Sequence, residues 1–326
     1  MSGQPAARIG DMIACATPQA TPAALPHAPT GSPIIGLGAS TVLIGGNPAA
    51  RMNDFSVCLS PAPVPNFVMK GAFPVPIMNM PAARMTDQGT PPHTGVILPP
   101  CCATVLIGLS GTTGNPHAGN LACQALANGR AGNTSGQSYN NCGIESSRQI
   151  INQANGSSIS EDALMQTAKN TPAINTSSSI GTPGAANLFA EGGTTARQQV
   201  ALLNNAGVAS SRIAPVAGNN GIRLTQFELP LSQGRGIIAH GDVSGFPASQ
   251  GYGSQPVMRG HAVTVTGMTY DDDGKVTHVH FNDTNSMCNQ KLTRAEFESF
   301  LNTFSVRASA NGLTPPNAVI TNNPIW

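Results

Sequence analysis

One seven-residue pattern recurs three times near the start of the chain and constrains its fold more than any other feature. The copies are PAARIGD (5–11), PAARMND (48–54) and PAARMTD (81–87). Such self-similarity indicates one structural unit used repeatedly. The neighbouring short apolar runs, separated by glycine and proline, are typical of strands joined by turns. The sequence therefore predicts an all-β N-terminal region built from three equivalent parts.

The arginine and the aspartate of each copy stand three residues apart, and we expect them to pair. Every acidic residue of residues 1–130 belongs to one of these copies. An unpaired charge in tightly packed structure is costly, whereas an arginine–carboxylate pair is strong. Charged residues become more frequent after this region, which predicts three segments: an N-terminal domain (1–115), a linker (116–130) and a second domain (131–326).

Composition excludes several classes of protein. The net charge of +1 gives no support for binding nucleic acid or an anionic membrane. No stretch approaches the roughly 20 apolar residues of a membrane span, and the N-terminus lacks the pattern of a secretory signal. The seven cysteines are odd in number and irregularly spaced, which favours free thiols or metal ligands over a disulfide framework.

The three copies, in register with the TVLIG runs at 41–45 and 104–108, resemble the PAAR-repeat family over about residues 1–115. The resemblance implies a small pointed β-cone that caps the spike trimer, the valine-glycine repeat protein, of a type VI secretion system. It also implies a metal ion at the apex and, in many members, a toxin as C-terminal extension.

The implied metal site needs ligands, and four residues are candidates for a closed, structural Cys₂His₂ zinc site. Two cysteines each follow a repeat aspartate by four residues, and a histidine of the third copy falls close to the same place. The predicted set is Cys15, His27, Cys58 and His93, with Cys101 and Cys102 as alternatives. The simpler alternative is that these side chains only pack in turns.

In the second domain, the segment SYNNCGIESSRQII (138–151) places Cys142 at the predicted start of a helix, after two asparagines that are good N-caps. The positive end of the helix dipole favours a thiolate at that position. Cys142 is therefore a candidate nucleophile, although a buried cysteine can also act as a small apolar residue.

A base for this thiol is predicted in the segment 261–283, which alternates as two strands around an Asp/Gly-rich turn. A hairpin centred on Asp272 would place His261 beside Asp283, and a carboxylate beside an imidazole fixes its tautomer and stabilises its protonated form. His240, with Asp242, is the rival base.

The order of these residues resembles the papain-like cysteine peptidases, especially the bacterial branch related to double-glycine leader peptidases. The resemblance rests on NNCGIESS with Cys142, GHAVTVTGM with His261 and HFNDTN with Asp283. It implies an α+β peptidase domain with a Cys-His-Asp triad, no catalytic cofactor, and an oxyanion hole formed by Gln137 and the Cys142 backbone N–H.

The sequence thus predicts a multidomain type VI effector: a PAAR spike tip fused to an antibacterial cysteine peptidase that cleaves a protein in the recipient cell. We expect secretion without a signal peptide, delivery to the recipient's cytoplasm, where a thiol stays reduced, and a cognate immunity protein in the producer. Two alternatives remain open. The same residues could serve a glutamine deamidase or transglutaminase, or the second domain could be a non-enzymatic cargo adaptor.

Overall fold

The computed structural model divides the chain into two compact units. One consists of Met1–Thr113 with Tyr270–Lys275, and the other of Gly114–Thr269 with Val276–Trp326. The residues that the structure describes are 3–14, 31–58, 64–91, 95–131, 136–138, 141–171, 194–215, 221–247, 260–285, 287–310 and 318–326.

The first unit is built from short strands paired two by two. They are β1 (Gln4–Ala6), β2 (Met12–Ile13), β3 (Ser32–Pro33), β4 (Ala39–Ile44), β5 (Asn47–Ala49), β6 (Phe55–Cys58), β7 (Val64–Phe67), β8 (Ala72–Ile77), β9 (Met80–Ala82) and β10 (Cys102–Ile107), followed by β11 (Gly111–Gly114) at the boundary. The predicted all-β character of the N-terminal region agrees with this arrangement.

Three of these pairs are equivalent antiparallel hairpins. β4 pairs with β5, and β8 with β9, whereas the third pair joins β1 to β10 across the whole repeat region. Each has a register irregularity of the same kind, and the first alanine of each PAAR copy is paired at the same place: Ala39–Ala49, Ala72–Ala82 and Cys102–Ala6. The third hairpin is therefore assembled from the two ends of the repeat region.

The second alanine of each PAAR copy lies in a closed ring of backbone hydrogen bonds. Ala7 N–H donates to Ala83 O (2.9 Å), Ala83 N–H to Ala50 O (2.9 Å), and Ala50 N–H to Ala7 O (3.0 Å). All three side chains are buried in one apolar cluster. Three chains can approach one axis this closely because alanine adds only a methyl group, which explains the small residue at this position.

The predicted arginine–aspartate pairs are present in all three copies. Arg Nη2 lies 2.9, 3.4 and 2.8 Å from Asp Oδ1 in Arg8–Asp11, Arg51–Asp54 and Arg84–Asp87, respectively. Each aspartate also accepts a bond from the backbone N–H of its arginine, at 2.7–2.8 Å. Each carboxylate thus closes the turn that follows its alanines.

The second unit combines helices with an antiparallel sheet. Its helices are α1 (Pro116–Leu126), α2 (Cys142–Asn155), α3 (Glu161–Asn170), α4 (Ala196–Asn205), α5 (Thr225–Ser232) and α6 (Arg294–Ala310). Its strands are β12 (Ser210–Ile213), β13 (Arg235–Asp242), β14 (Gly260–Tyr270), β15 (Val276–Asp283), β16 (Met287–Thr293) and β17 (Ala318–Pro324), in the order β12-β17-β13-β14-β15-β16. Helix α2 and strand β13 contribute to one apolar core with α3 and α4.

Residues 116–130 do not form the predicted linker. Helix α1 packs within the second unit, where the carbonyl of Gly119 accepts bonds from Gln149 Nε2 (3.0 Å) and Asn282 Nδ2 (2.8 Å). A Cβ at Gly119 would collide with the side chain of Thr266, so only glycine permits this close packing. The sequence could not reveal that α1 packs within the second unit, because an amphipathic helix in a linker and one packed inside a domain have the same sequence pattern.

The prediction of free thiols is wrong for two cysteines. Cys123 of α1 and Cys288 of β16 form a disulfide that spans 165 residues of the chain. Spacing alone could not indicate it, because the partners are brought together by the fold of the second unit. Among the described residues, no helix combines the length and apolar character that a membrane crossing requires.

Candidate active site

Cys142 is the first residue of α2, as the sequence predicts, and is partly exposed. The preceding Asn141 occupies the N-cap position but makes no side-chain capping bond. Its side-chain amide donates instead to Glu161 Oε1, at 3.0 Å. The backbone N–H of Gly143, in the first turn of the helix, is instead directed at the Cys142 sulfur.

His261 and Asp283 are brought together across neighbouring strands. His261 lies at the start of β14 and Asp283 at the end of β15, and His261 Nε2 is 2.8 Å from Asp283 Oδ1. Both side chains are buried. The turn between the strands is closed by Asp271 N–H bonding Lys275 O, so its centre is Asp273 and not Asp272 as the sequence suggested. His261 and Asp283 still bond after this one-residue shift, because side chains at directly facing and at diagonal positions of neighbouring strands are both close enough to interact.

The thiol and the imidazole shift each other's pKa. Burial alone would raise the pKa of Cys142, but the hydrogen bond and the charge of His261, with backbone groups of Ala262 and Gly143, lower it overall. Burial would lower the pKa of His261, but the charge and hydrogen bond of Asp283, followed by the contribution of Cys142, raise it to about 10. Both shifts favour a thiolate beside an imidazolium.

Gln137 lies beside the segment that carries Asp283. Its backbone N–H donates to Thr284 O at 2.7 Å, and Thr284 Oγ1 donates to its side-chain Oε1, also at 2.7 Å. The structure thus brings three of the four predicted catalytic residues into one hydrogen-bonded row. His261 lies in the middle of the row and bonds Cys142 on one side and Asp283 on the other. The fourth, Gln137, is tied to the residue next to Asp283.

Glu161 is a residue of this region that sequence reasoning missed. It is fully buried at the start of α3 and accepts bonds from Ala131 N–H (2.9 Å), Ser138 N–H (2.9 Å) and Asn141 Nδ2. Burial alone would raise the pKa of Glu161, but these hydrogen bonds lower it overall. Its carboxylate therefore holds the segment leading to Cys142. In the sequence it appears only as an acidic residue in a first helical turn.

The rival base has a different set of partners. His240 Nε2 lies 2.9 Å from Gln199 Oε1, and Asp242 Oδ1 accepts bonds from the N–H and the hydroxyl of Ser244. On β13, His240 and Gly241 face Ala262 and His261 of β14.

The four predicted zinc ligands lie outside the described residues or, for Cys58, have a side chain outside them. They are Cys15, His27, Cys58 and His93. Within the described part of the chain, no cluster of three or more His, Cys, Asp or Glu side chains could hold a metal. Of the two alternatives, Cys101 donates to Leu98 O, and burial raises its pKa to about 12, whereas Cys102 contacts Thr104 Oγ1. The described contacts of Cys101 and Cys102 thus account for their burial as packing residues.

Comparisons with known proteins bear mainly on the first unit. Residues 26–90 match the PAAR motif. No curated protein matches the chain at a significant level. Among solved structures, the chain is similar to a Bacillus anthracis protein named provisionally as a C39-like peptidase, with 14% identity, a TM-score of 0.35, and coverage of 55% of this chain and 87% of that one. It is also similar to the Pseudomonas avirulence protein AvrPphB, with 12% identity, a TM-score of 0.25, and coverage of 55% and 89%.

The two structural likenesses are too weak to determine the activity of the second unit. The match at residues 26–90 covers the second and third copies of the repeat, and its geometry recurs in the first copy. The resemblance seen in the repeats is therefore confirmed, and the N-terminal part of this chain contains a PAAR motif.

Proposed function

We propose that the second unit is a cysteine peptidase, and the observation that carries this proposal is the convergence of Cys142, His261 and Asp283. The sulfur stands at a helix start and is hydrogen-bonded to the imidazole of His261, and a buried carboxylate holds that imidazole. This is the arrangement that acyl transfer by a thiolate requires.

The reaction would proceed in two halves. The Cys142 thiolate attacks the carbonyl carbon of a peptide bond, and the resulting oxyanion is held by the Cys142 N–H and Gln137 Nε2. His261 gives its proton to the leaving amine as the C–N bond breaks. Neutral His261 then takes a proton from water, whose oxygen attacks the thioester and releases the acid. Asp283 keeps the imidazole oriented throughout.

The first unit would deliver this activity as the tip of a type VI secretion spike. A PAAR motif indicates association with the spike, and the three equivalent hairpins suit a trimeric partner, the valine-glycine repeat protein. Leu43 and Leu106, at equivalent positions of two hairpins, are 61% and 60% exposed, as expected for an apolar docking surface. Structural zinc at the predicted ligands is part of this proposal, and metal analysis of the purified chain tests it.

The disulfide is the feature that supports a choice of recipient compartment. Disulfides form and persist in oxidising compartments, so the Cys123–Cys288 bond favours action in the periplasm of the recipient over the cytoplasmic target that the sequence suggested. A producer that makes this toxin would need a cognate immunity protein. The target is a protein of the competing bacterium.

Expression of the full chain in a susceptible bacterium tests the proposal, with and without an added periplasmic signal peptide. We expect growth arrest and new protein termini with the wild type, strongest with the signal peptide, and neither with Cys142→Ala. Conversion of glutamine to glutamate, or glutamine crosslinks, without new termini would identify the deamidase or transglutaminase alternative. Full toxicity of Cys142→Ala would overturn the enzymatic proposal and favour the cargo adaptor.

A further inference from the structure

Asp283, the last residue of β15, and Thr284, which follows it, each bond a different part of the candidate site. Asp283 Oδ1 bonds His261 Nε2, and the next residue, Thr284, bonds the side chain of Gln137. Asp283 Oδ1 also accepts the N–H of Asn285 at 2.9 Å, which fixes this turn of the chain. The position of the acid–base group and that of the oxyanion donor are therefore set from one short segment.

Thr284 holds Gln137 at two points. Its carbonyl accepts the Gln137 backbone N–H, and its hydroxyl donates to Gln137 Oε1, both at 2.7 Å. The Thr284 side chain is only 4% exposed, so water competes little for this hydroxyl. A carboxamide has one acceptor end and one donor end. Because the Thr284 hydroxyl donates to Oε1, Nε2 is the donor end of this carboxamide.

Close approach of the backbones keeps this contact in place. A Cβ at Gly136 would collide with the backbone carbonyl of Asn285, so glycine at 136 lets the loop before Cys142 lie directly on the segment after Asp283. From the other side, Glu161 accepts the N–H of Ser138. Gln137 therefore lies between two anchored neighbours, and Thr284 bonds its side chain directly.

We propose that Thr284 is a positioning residue that orients the Gln137 carboxamide, so that Nε2 faces the developing oxyanion. The inference rests on the proposed acyl-transfer function. Thr284 does not touch the reacting atoms. It acts through Gln137, and its removal would take from Oε1 the donor that fixes the orientation of the carboxamide.

Two small probes separate thiolate formation from oxyanion stabilisation in the full-length protein. Iodoacetamide alkylates Cys142 by displacing iodide from carbon, and no oxyanion forms. p-Nitrophenyl acetate acylates the sulfur through a tetrahedral intermediate that carries an oxyanion, then releases p-nitrophenolate. Mass spectrometry of the Cys142 peptide reports the first reaction, and p-nitrophenolate release, corrected with Cys142→Ala, reports the second.

Thr284→Val removes the hydroxyl and keeps the branched shape, so we expect alkylation of Cys142 at the wild-type rate. We expect acylation to slow by at least about tenfold, and by less than the roughly 100- to 1,000-fold associated with loss of a whole oxyanion donor. Thr284→Ser, which keeps the hydroxyl, should restore most of the rate. Thr277→Val, at a threonine within β15, is the matched control and should change neither reaction.

The double variant decides whether Thr284 acts through Gln137. In the Gln137→Ala background, Thr284→Val should slow acylation no further, because the carboxamide that it orients is gone. Wild-type acylation by Thr284→Val, or fully additive losses in the double variant, would overturn the inference. If wild-type Cys142 is neither alkylated faster than the other thiols nor acylated, the proposed function itself fails. Loss of both reactions in Thr284→Val, with no rescue by serine, would assign the residue a merely structural role.

Discussion

Each repeat aspartate of the first unit bonds an arginine three residues before it, whereas Asp283 of the second unit bonds a histidine 22 residues away. The pairs of the first unit close turns of a scaffold, and each forms wherever the local chain adopts the repeat conformation. The pair of the second unit forms only when two long strands are in place. A carboxylate whose position depends on tertiary structure can be directed at a reactive group far away in the chain. A carboxylate that bonds within its own turn is already engaged there.

The second unit also contains a buried ion pair with a structural role. Glu145 and Arg148 form this pair, and their spacing resembles that of the arginine–aspartate pairs in the repeats. The two side chains are three residues apart on α2, each is 1% exposed, and Arg148 Nε lies 2.6 Å from Glu145 Oε1. Arg148 also donates to the carbonyls of Leu126 and Ile159. Local spacing therefore does not by itself mean a weak or exposed pair.

The largest effect on stability is expected from Arg148→Met. Removing one partner of a buried ion pair costs about 3–5 kcal/mol, because the remaining charge is left without compensation. The corresponding change Arg8→Met, in a pair whose arginine is 19% exposed, should cost about 1 kcal/mol or less. Urea unfolding followed by hydrogen exchange separates the two units.

The double variant Glu145→Gln with Arg148→Met controls this comparison. It removes both charges, and we expect it to be more stable than Arg148→Met alone. Equal losses for Arg148→Met and Arg8→Met would contradict the idea that burial, and not spacing, determines the contribution of these pairs.

A similar effect, confined to the second unit, is expected from removal of the disulfide. Cys123→Ser combined with Cys288→Ser should lower the free energy of unfolding of this unit by about 2–5 kcal/mol, because the bond restricts the unfolded chain. Trp326, the single tryptophan, lies in the second unit and reports its unfolding by fluorescence. Reductant should reproduce the loss in the wild type and have no effect on the double variant. Unchanged unfolding would show that the bond does not stabilise the unit.

His261→Asn tests the long-range pair through the reactivity of the thiol. Without the imidazolium, burial raises the pKa of Cys142, and the thiolate is lost at neutral pH. Iodoacetamide alkylation at pH 7 should fall by about 30-fold or more, since a thiol with a pKa near 8.5 is only about 3% ionised there. In the wild type, alkylation should remain fast well below the ordinary thiol pKa. Peptide cleavage, in which the leaving amine needs the His261 proton, should decline as the pH rises through about 10, where His261 loses that proton.

His278→Asn, on the neighbouring strand, is the matched control for this measurement and should leave the pH profile unchanged. An unaltered profile for His261→Asn would mean that the imidazole does not set the ionisation of Cys142.

The smallest effect is expected at the alanine ring of the first unit. Ala50→Val adds two methyl groups where three backbones meet, and overpacking of this kind costs about 1–3 kcal/mol. Ala163→Val, at an exposed position of α3, should cost only the difference in helix propensity, about 0.5 kcal/mol. Hydrogen exchange of the Ala7 and Ala83 amides measures the first effect, and equal costs for the two substitutions would show that the ring is loosely packed.

Several parts of the fold could be predicted because they depend on neighbours in sequence. The three arginine–aspartate pairs, the start of α2 at Cys142 and the proximity of His261 to Asp283 follow from spacing, capping and hairpin alternation. The predicted centre of the hairpin was wrong by one residue. His261 and Asp283 still pair, because side chains on neighbouring strands can interact across more than one register position. The prediction that residues 116–130 form a linker was wrong, because the apolar face of α1 does not reveal which part of the chain it packs against.

The sequence by itself determined that the N-terminal region is repetitive, that each copy neutralises its own charge, and that a thiol stands where a helix begins. These properties are local, and the side chains that produce them lie within one turn or one hairpin. Only the tertiary structure decided that β1 and β10 complete the third hairpin, that Cys123 meets Cys288, and that Glu161 and Thr284 hold the loop before the thiol. Such contacts join residues far apart in the chain, where no spacing rule applies and the packing of whole elements selects the partner.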